Sequence, residues 1–486
     1  MTEAAPSLKR SLGLFDSTMI VVGSMIGSGI FIVSADIARL VGSAGWLLVV
    51  WLIAGVVTLA AALSYGELAS MMPRAGGQYV YLREAYGPLV GFLYGWTLFL
   101  VIQTGTIAAV AVAFAKYTSV LLPWFSEGHK LLRLGPVRVS AAQLLAIGVI
   151  AVLTGVNWRG IREGKVVQNV FTTAKVVALL ALIVLGVFVA RDSDVVTLNL
   201  AGFWDASRAV VERGAVHSER LGFWALLAAL GVAQVGSLFS ADAWNNITFT
   251  AGEVSEPQRN VPLSLALGTG LVIALYLLVN LAYVSVLPLT GDPNGVDAFA
   301  RGIQYATSDR VATAAASRIL GEPAAWVMAV LIMVSTFGCS NGLILAGARV
   351  YYAMAGDGLF FRRVGELNKN AVPGAALVLQ AVWASVLCLS GGYGDLLDYV
   401  VVAVLIFYVL TVIGLILLRR SRPDAERPYR AWGYPVVPLL YIVTATAIAL
   451  DLLVLKPRYT WPGIGIVLLG IPVYYAAKHR LSGISP

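Results

Sequence analysis

The sequence predicts an all-α polytopic membrane protein with twelve transmembrane helices, of which helices 1 and 6 are broken mid-membrane. Three observations predict it. Of 486 residues, 59% are hydrophobic and only 12% charged, where soluble domains carry nearer a quarter. Apolar windows of about twenty residues, each able to cross a hydrocarbon core of about 30 Å, recur along the whole length. Runs such as VLIFYVLTVIGLILL (404–418) have no polar face. Two of the windows carry glycine or polar residues at their centres, where lipid tolerates irregular backbone least.

In chain order the windows fall at 12–41, 44–72, 88–122, 139–157, 165–190, 222–250, 260–288, 322–356, 371–390, 396–418, 433–455 and 461–478. Lys9 and Arg10 precede the first as they would a signal peptide, but the run is too long for a signal h-region and no A-x-A-like site follows. Short loops rich in lysine and arginine mark the cytoplasmic side. One set of loops holds Arg74 and Arg83, then Arg159, Arg162 and Lys165, then Arg362, Arg363 and Lys369, and last Arg419, Arg420, Arg422, Arg427 and Arg430. Both termini fall on that side, so the expectation is a multi-pass protein of the cell membrane with cytoplasmic ends. The net charge of +8 reflects the same bias. It does not suggest a nucleic-acid partner, because no basic patch with interleaved aromatics occurs; the expected surroundings are the lipid bilayer.

Residues 23–29 read GSMIGSG, three glycines and two serines inside the first window. Glycine disfavours helix by roughly 1 kcal/mol against alanine. Gly23 and Gly27 form a GxxxG, the pattern of close helix packing. The alternative is a broken helix whose second half presents N–H groups and a positive dipole end to an anion, while the first half ends in free carbonyls. The sixth window carries a second interruption, GVAQVGSLFSADAWNNITFTAGE (231–253), with Ser240, Asp242, Asn245 and Asn246 at its centre. A carboxylate at that depth costs about 3 kcal/mol even on insertion scales. Interrupted segments at matching positions of two halves point to a transporter site, and five spans per half make the repeat an inverted one. The expected organisation is a cytoplasmic segment 1–11, a first five-helix repeat 12–190, an external loop 191–221, a second repeat 222–420, and helices 11 and 12 with a cytoplasmic tail in 421–486.

The motifs then carry a family likeness. GSMIGSGIF (23–31) resembles the first-helix motif of the amino acid–polyamine–organocation (APC) superfamily. MMPRAGGQYVYLREAYG (71–87) is similar to its cytoplasmic P-x-x-G-G-x-Y-x-Y element, and FSADAWNN (239–246) to its sixth-helix break. STFGCSNGLILAGARVYYAMAGDG (335–358), LLRRSRPDAERPYR (417–430) and NVFTTAKVVALLALIV (169–184) look most like the L-type amino acid transporter branch. The resemblance implies the 5+5 inverted repeat, with helices 11 and 12 outside it, and an L-amino acid held between helices 1 and 6. The amides of Gly27, Ser28 and Gly29 would hold the carboxylate. Carbonyls near Met25 and from Phe239 through Ser240 and Ala241 to Asp242 would hold the ammonium. Phe239 would gate the substrate, and Trp244 would gate or pack. The family often has a bulky residue where Ala241 stands. Val404, Ile406, Phe407 and Tyr408 make an apolar wall in the tenth window. Animal L-type members attach a glycoprotein subunit through a cysteine between helices 3 and 4. The loop 123–138 has none, so no disulfide-linked heavy subunit is expected.

Lys175 sits about ten residues into the fifth window, too deep to snorkel. One reading is a structural tie between helices. The other follows from sodium-driven relatives of this fold, in which a cation lies where helices 1, 5 and 8 meet. There the ammonium stands in for the ion, bonded to carbonyls of the first window and to the hydroxyl of Ser335. Glu67 and Arg349 offer a gate salt bridge or ordinary helix-end pairing, and Asp398 and Asp451 read as interfacial. The two cysteines, Cys339 and Cys388, lie within windows, and His129, His217 and His479 stand apart in loops or the tail. No metal-ligand spacing or nucleophile–histidine pair emerges, so neither a cofactor nor an enzyme is expected. The reading is a sodium-independent secondary transporter of L-amino acids, an exchanger of neutral ones. The alternatives are a proton-coupled symporter, a cationic amino acid or polyamine exchanger with Asp242 meeting a second ammonium, and, in a different class, a membrane sensor or channel.

Overall fold

The computed structural model describes residues 8–134, 137–212, 215–390 and 393–482. Residues 1–7 of the N-terminal segment, and the side chains of Asp398 and His479, lie outside the described residues. The helices that carry the fold are α1 (Leu14–Met25), α2 (Val33–Val41), α3 (Ala44–Met71), α4 (Gln78–Tyr86), α5 (Pro88–Leu121), α6 (Ala141–Arg159), α7 (Ile161–Val189), α8 (Phe223–Ser240), α9 (Asn246–Phe249), α10 (Pro257–Val286), α11 (Ala324–Gly356), α12 (Gly374–Ser390), α13 (Tyr393–Ser421), α14 (Val436–Leu455) and α15 (Pro457–Ser482). Among the described residues, nine helices are long and apolar enough to cross a membrane. Shorter apolar helices at Leu14–Met25, Gly374–Ser390 and Thr460–Ala476 fill the other windows. The protein is a polytopic, mostly helical membrane protein.

Two windows are interrupted where the sequence expects a break, and the loops carry structure of their own. The stretch 12–41 is two helices, because the ladder stops at Met25 and regular α-helix resumes only at Val33. The stretch 222–250 likewise ends its long helix at Ser240 and continues as turns and the one-turn α9. The loops are not featureless. Antiparallel hairpins form from β1 (Lys130–Leu134) with β2 (Val137–Ser140), and from β3 (Ser207–Glu212) with β4 (Ala215–Arg220).

The two broken segments lie at the centre of the packing. Every residue from Ile20 to Phe31 is buried, and so is every residue from Ala243 to Ala251. The α1 helix packs against α7, α10 and α11, and α8 against α2, α3 and α14. The chain entering α1 is fastened to the end of the second break: Ser11 and Leu12 N–H donate to the Glu253 carbonyl at 2.8 and 3.0 Å, and Ser255 N–H returns to Leu12 at 2.9 Å.

Glu67 and Arg349 do not meet. Arg349 donates both arms of its guanidinium to Glu253, at 2.8 and 2.9 Å, and a third bond to the Leu345 carbonyl at 2.6 Å. Glu67 instead takes Arg419 from the end of α13, with Arg427 alongside at 3.2 Å and the Ala431 N–H at 2.7 Å. Of the two sequence readings, the gate bridge is not formed and each residue makes an ordinary ion pair, because the second break brings a closer acid, Glu253, under Arg349. Both side chains of the Arg349–Glu253 pair are 1% exposed, so removing one partner strands a buried charge. Glu253→Ala is expected to destabilise the fold by about 3–5 kcal/mol, read as a lower thermal midpoint in detergent; an unchanged midpoint would contradict the pairing.

The P-R-A-G-G-Q loop before α4 docks on the second break. Gly76 N–H donates to the Phe249 carbonyl at 3.0 Å, and Asn245 donates its amide to Gln78 at 2.8 Å. Gln78 in turn donates to Thr411 of α13 at 3.1 Å. At Gly77, φ is +44° and a Cβ would run into Thr248, so only glycine fits this turn. Further along α4, Arg83 pairs with Asp357 and with Glu84, and Glu84 takes Arg422 at 2.8 Å. Burial opposes ionisation of Glu84, but hydrogen bonds from Arg422 and Arg83 outweigh it and hold the carboxyl below its ordinary value. Stability from this clasp is present above the ordinary carboxylate range and is lost as pH falls through the lowered value.

Candidate functional site

The first break is short and ordered. After Met25 the backbone of Ile26 turns extended, at φ −77° and ψ 91°. Gly27 N–H folds back to the Met25 carbonyl at 2.9 Å, so that amide is engaged. Gly29 begins a single 3₁₀ turn ending at Phe31, and the first amides of such a turn have no partner within it. The glycines here serve close approach. A Cβ on Gly29 would run into the Ser240 side chain and come within 3.1 Å of its Cα, whereas one on Gly27 would meet only Cys339 Sγ, at 3.4 Å. Gly23 is different in kind: its missing Cβ makes room for Gln168 and Thr172 of α7. The GxxxG reading therefore describes Gly23, and the break lies after it.

The second break faces the first. Ser240, Ala241 and Trp244 are buried, while Phe239 and Asp242 are partly so. The two breaks share one hydroxyl. Tyr276 of α10 lies 3.1 Å from the Met25 carbonyl and 2.9 Å from that of Ser240, donating between them. One and two turns on, Asn280 accepts from Ser34 at 2.6 Å, and Tyr283 donates to the Ile30 carbonyl at 3.1 Å. Sequence reasoning missed this rail. Its signal was present: Tyr276, Asn280 and Tyr283 are spaced four and three apart in an otherwise apolar stretch, hence on one face.

Lys175 is where the three helices meet. Its ammonium donates to the carbonyls of Gly23 at 2.8 Å, Ile26 at 2.7 Å and Ser335 at 3.0 Å. Three protons meet three acceptors, which leaves the group, 1% exposed, fully satisfied. Ser335 contributes its carbonyl rather than its hydroxyl to the lysine. The hydroxyl lies 3.1 and 2.9 Å from the carbonyls of Ile26 and Gly27, donating between them. Toward the chain start the same face of α7 continues the tie: Gln168 and Thr172 bond the Met19 carbonyl, each at 3.3 Å, and Asn169 and Lys165 bond Asp16 at 2.7 and 2.9 Å.

Past the second break, Asp242 accepts from the Tyr408 hydroxyl at 2.6 Å. Trp244 is closed in by Tyr65 and Tyr408, with ring centroids at 4.7 and 5.2 Å, so it packs in this conformation. Asp242 borders two voids. One, of about 30 Å³, is lined by Phe239, Ala241, Val404, Tyr408 and Tyr441; the other, of about 20 Å³, by Tyr94, Thr106, Asn245 and Asn246 among others. Each has room for little more than a water. Among the described residues no cluster of metal-ligating side chains occurs. Cys339 and Cys388 are both buried.

A family model described as amino acid permease matches residues 12–472. The b(0,+)-type amino acid transporter 1 of Homo sapiens is 29% identical over 482 residues, covering 98% of this chain and 90% of the relative. The mouse protein of that name is also 29% identical, over 96% of this chain and 88% of its own. The Homo sapiens large neutral amino acids transporter small subunit 2 is 30% identical, over 96% of this chain and 80% of its own. The chain belongs to the amino acid permease family, whose members are transporters rather than enzymes.

Proposed function

We propose that this permease is a sodium-independent exchanger of neutral L-amino acids that works by alternating access in the cell membrane. Twelve spans cross the bilayer as a 5+5 inverted repeat followed by two further helices, with both termini cytoplasmic. The observation that carries the reading is the facing of two helix breaks across the Tyr276 hydroxyl. A substrate ammonium takes the place of that hydroxyl against the carbonyls of Met25 and Ser240. The substrate carboxylate faces the turn at Gly27, Ser28 and Gly29, where the Gly27 N–H exchanges its bond to the Met25 carbonyl for the ligand, since no basic side chain stands between positions 23 and 29. The relatives' names support the substrate class: one names large neutral amino acids.

Counterflow tests it. Proteoliposomes loaded with unlabelled alanine should accumulate labelled alanine without a membrane potential, and at the same rate when choline replaces sodium. An amino acid amide, lacking the carboxylate, should compete at least about tenfold more weakly than its parent acid; equal competition would remove the carboxylate role. A second reading rests on Asp242, which is positioned to meet a second ammonium. In a series of alanine, leucine, phenylalanine, arginine and putrescine, tight binding of putrescine alone would favour that reading. One relative's name contains "small subunit". We propose that this chain needs no disulfide to a companion, which the burial of Cys339 and Cys388 supports, and its mass on a gel should not change with reducing agent.

A further inference from the structure

The void of about 20 Å³ below the second break has a chemistry the substrate backbone does not use. Asp242, Ala243, Asn245 and Asn246 of the second break line it, with Tyr94 and Thr106 of α5. Two residues that line it each carry a buried polar atom without a hydrogen-bond partner. Asn246 Nδ2, on a residue 1% exposed, has no hydrogen-bond partner, and the Tyr94 hydroxyl, 2% exposed, lies against the Asn245 amide with no acceptor for its own proton. Unpaired buried polar groups are rare because each forfeits its hydration. Beside the void, α5 widens to a π-turn over Leu98–Ile102, a distortion common at functional sites. The void and the idle donors are independent observations, and both point to a small polar occupant.

We infer that this chamber is the side-chain subsite of the substrate and that it selects a hydroxyl, as on serine or threonine. The inference rests on the amino acid exchanger reading. In this conformation the chamber admits a group of about the size of a water, which a hydroxyl matches. The Asp242 carboxylate in the wall repels an acidic side chain. A hydroxyl both accepts and donates: it accepts from Asn246 Nδ2 and exchanges a hydrogen bond with Tyr94. A site built to bond a hydroxyl rejects the isostere that lacks it, because its own groups are then left unpaired.

Threonine and valine have nearly the same shape and form the decisive pair. In wild-type proteoliposomes loaded with alanine, threonine should compete at least about tenfold better than valine, and serine better than 2-aminobutyrate by a similar factor. Tyr94→Phe removes one oxygen and no volume, and the threonine-to-valine ratio should fall toward one; Asn246→Ala should do the same. If either variant does not fold, the wild-type ratios still decide. Robust alanine counterflow with threonine and valine equal would overturn the subsite and leave the exchanger reading standing. Absence of counterflow with every amino acid would overturn both, since the subsite rests on that reading.

Discussion

Gly29→Val abolishes substrate binding while the protein still inserts and elutes as a folded species. The expected loss is about 100-fold or more, near 3 kcal/mol of binding. The new Cβ points at Ser240, whose Cα would be 3.1 Å away. Backbone cannot step aside as a flexible side chain can, so the two breaks are driven apart where they must close on a ligand. Gly27→Ala is the matched control, because its Cβ meets only Cys339 Sγ at an ordinary 3.4 Å. It is expected to bind with a loss several-fold smaller. Direct binding of labelled amino acid, with size-exclusion profiles, reads both variants. Equal damage in the two would mean that glycine matters here for chain flexibility and not for the approach of the breaks.

Lys175→Ala is expected to slow exchange at least about tenfold. The change removes a donor from three carbonyls at once. Ile26 keeps the Ser335 hydroxyl and the Ser335 carbonyl stays within the helical ladder of α11, but the Gly23 carbonyl, whose helical partner Gly27 N–H is turned to Met25, is left unsatisfied at about 1–3 kcal/mol. Two of the three acceptors belong to the broken first segment, so the loss reaches the site through its own backbone. Uptake under an imposed pH gradient, with no internal amino acid, separates the coupling modes. Concentrative uptake would support a proton symporter; its absence alongside strong counterflow supports exchange. A strict sodium requirement in the wild type would refute both.

The two breaks and the lysine of the candidate site were legible because the bilayer makes irregularity conspicuous. Glycines at 27 and 29 and a carboxylate at 242 stand out in apolar surroundings, and a lone lysine at 175 has few places to go. What escaped was pairing. The partner of Arg349 stayed open because the sequence does not reveal that the chain after a helix break folds Glu253 under it. Tyr276 escaped for a different reason: tyrosine is ordinary near membrane interfaces, and its role depends on depth and on the rotation of α10. The hairpins of the loops lack the alternation that a buried sheet imposes, so no periodic signal marked them. The Gly23 ambiguity was one of register, since packing and breaking call for the same residue and only the position of α7 separates them.

The Lys175 ammonium has an energetic consequence. A bound ion has a chemical potential on each side of the membrane, and a carrier that binds it inherits that difference as a driving force. A cation joined to the chain by four methylenes has no concentration and crosses nothing. Its occupancy is the same at every ionic strength, and its desolvation is settled once, at folding. In the proposed exchanger, the position therefore supplies cohesion to the first break without supplying direction. The steady-state ratio of one amino acid across the membrane is then set by the ratio of the others and not by the salt.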